Sequence, residues 1–301
     1  MPIVRYPLLP AAFAALINAT VWGIAWYPLQ WLQAHGVGSL WTTLIVFSAC
    51  TLGIIVVRPG AVRRSLATPQ LFWLALASGL TNVCFNIALT TGDVVRSVLL
   101  FYLMPMWVVV LARWLLNEPV TAMAIARVLL ALAGALLVLG QGKFAVPLPD
   151  SLADWLAVAA GFCFGLNNVL LKKFADLRDD TRGLAMFSGA VFCAPMGIAL
   201  MAGFGRPELF APQPVAWVGL LLFALAVLVG NLALQYGASR LRANVLSVLM
   251  LAEILVATLS SWLAGATTLS ATTLAGGALI VSASLLAIRT GDPAPADVRP
   301  K

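Results

Sequence analysis

The chain is 301 residues long, 62% hydrophobic and only 10% charged, with a mean hydropathy of +0.99. A water-soluble domain of this length needs far more charge, so composition excludes one. The net charge of +7 comes from basic residues set singly or in small groups between apolar runs. That spacing argues against nucleic-acid binding and for membrane-topology signals.

In chain order, apolar runs at 8–33, 39–57, 70–91, 94–116, 121–140, 152–174, 183–203, 214–236, 241–264 and 270–289 read as membrane spans. About 18 continuous apolar residues suffice to cross the hydrocarbon. Lipid offers the backbone no hydrogen bonds, so a span must be a helix or part of a closed barrel. These runs are too long and too uniformly apolar for barrel strands, which alternate. The predicted fold is an all-α membrane protein with ten transmembrane helices. The first run is too long for a signal peptide and lacks a small-residue cleavage site, so it is read as a span. Residues 291–301, rich in Pro, Ala and Asp, read as a disordered cytoplasmic tail.

Lys and Arg fall unevenly on the two sides of these spans. One side takes 14 of them: Arg5, Arg58, Arg63, Arg64, Arg113, Lys172, Lys173, Arg178, Arg182, Arg240, Arg242, Arg289, Arg299 and Lys301. The other takes only Arg96, Lys143 and Arg206, with Arg127 inside the fifth span near the basic side. Positive charge stays inside, which predicts a bacterial inner-membrane protein with both termini in the cytoplasm.

The chain also repeats itself. Asn86-Ile-Ala-Leu-Thr-Thr-Gly92 in the third span matches Asn231-Leu-Ala-Leu-Gln-Tyr-Gly237 in the eighth, and Trp22-Gly23 matches Phe164-Gly165. The predicted halves are 1–145 and 146–290, five spans each. An odd number of spans per half inserts the second half upside down. Such inverted repeats are the mark of secondary transporters, with the solute site between the repeats near mid-membrane. Duplication for folding reasons alone is the competing explanation.

Polar groups in hydrocarbon are costly unless paired or lining a wet cavity. Asn18, Trp22 and Trp26 recur at four-residue spacing on one face of the first span, and Asn82 and Asn86 do so in the third. Asn167 and Asn168 in the sixth span and Asn231 in the eighth, with Gln235 one turn on, complete the set. Amide side chains donate and accept, which suits the ammonium and carboxylate of a zwitterion. Hydrogen bonding between helices is their other ordinary use.

Trp31, Trp41, Trp73, Trp114, Trp155, Trp217 and Trp262 fall near span ends and read as an interfacial belt. Trp22, Trp26 and Trp107 lie deeper. With Phe101 and Tyr102 they form either an aromatic wall for an amphipathic solute or ordinary packing.

Glu253 is the one acid placed at mid-membrane. Hydrocarbon disfavours its charged form, so it is a candidate for proton coupling, against a structural hydrogen-bonded Glu. A coupling role predicts that Glu253→Gln loses pH-driven transport while solute binding persists. Pro28 and Pro105 are candidate gating bends. Gly161 and Gly165 form a GxxxG that favours close helix approach, unless it is a chance match.

No Lys or Arg falls at mid-depth, which disfavours phosphorylated or doubly anionic solutes. Cys50, Cys84, Cys163 and Cys193 lie inside spans with no CxxC pair, so neither disulfide nor metal is expected, and no cofactor is called for. An intramembrane enzyme would need a catalytic set. The single histidine, His35, falls in an outer loop, and no second deep acid accompanies Glu253. A receptor or structural role stands as a further alternative.

The end of the fourth span carries Pro105 and then Trp114-Leu-Leu-Asn-Glu118-Pro-Val-Thr121. In the second half Glu253 stands about where the proline would be, and Ser261-Trp-Leu-Ala-Gly265 is followed by Ala266 in place of the acid. This pattern, repeated over about residues 8–290, resembles the EamA-type branch of the drug/metabolite transporter superfamily. Length, short loops and a Trp-rich first span are similar to the YddG-type aromatic amino-acid exporters. The resemblance implies alternating access, export and a central cavity among spans 1, 3, 4, 6, 8 and 9, and it does not fix the substrate. The amides and deep aromatics point to small neutral or zwitterionic amphipathic metabolites, apolar or aromatic amino acids foremost, and the chain is expected to act as a monomer.

Overall fold

The computed structural model describes residues 8–140 and 148–290. Apart from one isolated bridge between Val37 and Phe210, it is helical with turns and loops. The tail at 291–301, the boundary between the halves at 145 and the charges Arg5, Lys143, Arg299 and Lys301 lie outside the described residues. Among the described residues ten helical stretches are long and apolar enough to cross a bilayer. Seven are single helices: Ser39–Val57, Leu71–Thr91, Ala122–Leu139, Leu152–Lys173, Asp179–Gly203, Pro214–Arg240 and Ala271–Thr290. Three are interrupted. The first is Leu8–Ile24 then Trp26–Ala34, the fourth Val94–Phe101 then Met104–Leu115, and the ninth Ala243–Met250 then Ala252–Leu263.

The seventh span begins at Asp179, four residues before hydropathy alone starts it. Asp179 and Asp180 open the helix, where its positive end favours acids. Arg182 is carried inside, 1% exposed, because it donates to the Leu171 carbonyl at 2.9 Å and pairs with Asp179. A charge whose partners fold with it is invisible to a hydropathy window.

The interruptions have local causes. Pro105 has no N–H for the Phe101 carbonyl and its ring crowds that oxygen, so the fourth span breaks at Tyr102–Leu103. Pro28 acts likewise on Ile24, and the first span breaks at Ala25. The ninth span breaks at Leu251 without a proline, and an acid, Glu253, sits in the first turn of the helix that restarts there. The fourth and ninth spans match in form, each an 8-residue helix followed by a 12-residue one. Pro105 and Glu253 are both the second residue of the longer piece.

Packing joins the early spans to the late ones. The third span runs along the sixth and seventh, the first along the eighth and ninth, the fourth along the sixth, and the fifth along the tenth. Glycines permit the closest approaches. A Cβ at Gly165 would lie 3.2 Å from Val108 Cγ2, and one at Gly23 would lie 2.7 Å from Val256 Cβ. Val108 and Val256 each stand three residues after Pro105 and Glu253, so the two contacts fall at the same place in the longer pieces of the fourth and ninth spans. Gly161 lies against the Phe101 carbonyl freed by Pro105, so the GxxxG of the sixth span is where it meets the fourth.

Candidate functional site

The breaks and glycine contacts leave a cavity of about 90 Å³ among the helices. On a scale where roughly 10–15 Å³ holds one water, several waters or a small polar head fit. Its polar lining is Ser78, Thr81, Asn82, Asn167, Asn231 and Glu253, and its aromatic lining is Trp22, Phe47, Phe85, Phe101 and Phe164, with Met186 beside them. Trp22 and Phe164, matched in the sequence repeat, both face it. Among the described residues no Lys or Arg lines it.

The amides are fixed by their own helices. Asn82 donates through Nδ2 to the Ser78 carbonyl and Asn231 to the Val227 carbonyl, each at 2.9 Å. Only an NH₂ can donate to a carbonyl, so each Oδ1 is the acceptor end, and neither accepts a hydrogen bond among the described residues. Asn167 Nδ2 lies 3.5 Å from Asn168 Oδ1, and Asn167 Oδ1 has no partner among the described residues. Glu253 faces the cavity, and the Tyr102 hydroxyl stands beside its carboxyl, so the two interrupted spans approach each other where they break.

Other sequence candidates are placed elsewhere. Asn18 is fully buried, and neither of its amide atoms has a partner among the described residues. Trp26 lies beyond the break at Ala25, which separates it from the face of Trp22, and its Nε1 donates to Ser260 Oγ at 3.0 Å. Asn86 ties its helix to the second span, donating to Asn82 O at 2.8 Å and Thr43 Oγ1 at 3.3 Å. Asn168 is fully buried behind Asn167. Trp107 faces a lateral apolar groove between the fourth and fifth spans, with Val110, Ile125 and Leu129. Pro105 is buried at its break, and Pro28 lines a second lateral groove, beside the eighth span.

Of the seven belt tryptophans, Trp73, Trp114, Trp155, Trp217 and Trp262 are exposed on the helical surface. Trp31 and Trp41 are half-buried: Trp31 stacks on His35 and Trp41 on Phe210, with centroids 3.9 and 4.4 Å apart. Both pack where the loop after the first span pairs with the loop after the seventh, through Gly38 N to Leu209 O at 2.8 Å and Ala211 N to Gly36 O at 2.7 Å.

Phe47, Ser78, Thr81, Phe85 and Met186 were not singled out by sequence, because as isolated residues they look like any membrane-helix core. A charged vestibule was missed too. It opens at the head of the fourth and sixth spans, where Arg96 pairs with Asp150 at 2.7 Å and Asp154 at 3.0 Å. Asp154 also closes a capping box with Ser151 at the start of the sixth span.

A multi-pass helical membrane protein with a mid-depth polar and aromatic cavity has the architecture of a solute carrier. The EamA-like transporter family matches residues 9–140 and again residues 151–289, and the chain belongs to that family. A curated relative, a probable terminal-alkyne amino-acid exporter of Streptantibioticus cattleyicolor, is 26% identical over 240 residues, 77% of each chain. A solved crystal structure aligns with a TM-score of 0.73 over 92% of this chain and 96% of its own, at 20% identity, which shows a shared fold.

Proposed function

We propose that this transporter exports small neutral or zwitterionic amphipathic metabolites, apolar or aromatic amino acids foremost, by alternating access between two inverted five-span halves. The observation that carries this reading is the composition of the cavity. Its lining comes from both halves, Trp22 and Asn82 from one and Phe164 and Asn231 from the other, and joins aromatic rings to amides with no Lys or Arg among the described residues. The double family match, the equal breaks of the fourth and ninth spans and the paired Gly–Val contacts support the duplication. The relative named as an amino-acid exporter supports the cargo and direction. The excess of basic residues on one side supports cytoplasmic termini in a bacterial inner membrane. The protein works as a monomer.

Glu253 is the proposed coupling group, exchanging a proton against the solute at the point where the ninth span restarts. The test is uptake of labelled amino acids into proteoliposomes, with and without a pH gradient. Saturable uptake of apolar amino acids, driven by the gradient in the wild type and not in Glu253→Gln, is expected. No amino-acid uptake under either condition would overturn the cargo, and an unchanged gradient response in Glu253→Gln would overturn the coupling.

A further inference from the structure

The cavity's polar groups are unequal in kind. Resting on the proposed amino-acid cargo, the geometry points to a site that recognises the ammonium end of the solute with a counter-charge and gives the carboxylate none. Asn82 and Asn231 each commit their NH₂ to a backbone carbonyl, and Thr81 Oγ1 donates to Ala77 O at 2.7 Å. Asn167 offers an unpartnered oxygen. Among the described residues the one ionisable side chain lining the space is the acid Glu253.

An ammonium placed there meets several oxygen acceptors, a counter-charge and the ring faces of Trp22 and Phe164, which attract cations through their quadrupoles. A carboxylate meets only neutral donors, the Ser78 hydroxyl and the Trp22 indole N–H among them, and no counter-charge. Among the described residues no guanidinium or ammonium lines the space, and Glu253 is a like charge. Helix N-termini at a break are the usual substitute for a cation. Here the N–H groups at the breaks go to preceding carbonyls, Met106 N to Leu103 O at 2.9 Å and Ile254 N to Leu251 O at 3.1 Å, and Pro105 has no N–H to give.

The solute class is therefore a primary amine carrying an apolar or aromatic group, for which the carboxylate of an amino acid is dispensable. Glu253 then touches the solute, so its substitution costs affinity as well as coupling, unlike a pure proton relay.

The test uses the full-length protein in proteoliposomes with four probes: phenylalanine, its methyl ester, phenethylamine and N-acetylphenylalanine. Each competes for labelled phenylalanine, and binding is read in parallel by ligand-induced thermal stabilisation. The ester and phenethylamine should compete within about threefold of phenylalanine, and the N-acetyl form at least about thirtyfold more weakly, two rings and a counter-charge being lost to the amine. Glu253→Gln should weaken phenethylamine binding about tenfold or more. An N-acetyl form that competes well while the ester fails would overturn the inference and leave the amino-acid cargo standing. Phenethylamine binding without phenylalanine binding would support the inference and overturn the amino-acid cargo. If none of the four binds, both fall.

Discussion

Glu118, in the turn after the fourth span, accepts a hydrogen bond from the Ala243 amide at the head of the ninth, 3.1 Å away. The acid of one family-matched stretch thus caps a helix of the other, and its residue is 8% exposed. In the second matched stretch Ala266 stands after the Ser261–Gly265 run, and Val94–Phe101 takes its cap from its own Asp93, whose Oδ1 accepts from Arg96 N at 2.8 Å. Removing Glu118 orphans the Ala243 amide and leaves Lys172 and Arg242 without its charge. Glu118→Ala should lower stability by about 1–2 kcal/mol, and Glu118→Gln, which keeps an acceptor, by less. Thermal unfolding in detergent checks this. Equal melting of Glu118→Ala and wild type would refute the cap.

Burial pushes the Glu118 carboxyl above its ordinary 4.5, against the opposing pull of the Ala243 N–H, Lys172 and Arg242. Glu208, which accepts from Leu40 N at 3.4 Å, is raised by burial in the same way, its N–H and Ser39 contacts only partly offsetting it. A carboxyl whose folded value is raised binds its proton more tightly in the fold. Its contribution is full below the unfolded value and is lost as pH rises through the folded one. Relative to the double variant Glu118→Gln, Glu208→Gln, wild-type melting should rise on going from about pH 7.5 to about pH 5.5. A difference that stays constant, or falls on acidification, would contradict this.

The fifth and tenth spans meet at two glycines. A Cβ on either Gly134 or Gly276 would sit 2.6 Å from the other's carbonyl oxygen. Gly134→Leu should therefore cost roughly 1–3 kcal/mol by overpacking. Gly53→Leu, at a position with nothing within 4 Å, is the control and should melt like wild type.

Most of the fold was legible in the sequence because span length and uniform apolarity are local properties. The exceptions are informative. Arg182 hides the start of the seventh span because its partners Leu171 O and Asp179 are assembled only by folding. The site was legible in part. Depth along a helix can be read from sequence, but the direction a side chain faces depends on neighbours and breaks. Trp107 is as deep as the cavity and faces a lateral groove. Asn18, Trp22 and Trp26 share a spacing, yet only Trp22 lines the cavity, with a break falling between it and Trp26. Phe47 and Phe85 carry no sequence signal beyond hydrophobicity.

The matched rings should matter alike. Trp22→Ala and Phe164→Ala each remove one aromatic wall from the cavity. Each should weaken solute binding by about 1–2 kcal/mol, roughly five- to thirtyfold. Trp107→Ala, outside the cavity, should change affinity by less than about twofold. Thermal stabilisation by ligand, titrated for all three variants, makes the comparison.

The most direct measurement is counterflow of labelled phenylalanine in proteoliposomes, comparing wild type with Ser78→Phe, which adds a ring to the cavity's polar wall. Counterflow should be robust in wild type and fall at least about tenfold in a Ser78→Phe protein that still melts at the wild-type temperature. Undiminished counterflow through that folded, blocked protein would place the solute's path somewhere other than the space between Trp22, Phe164, Asn82 and Asn231.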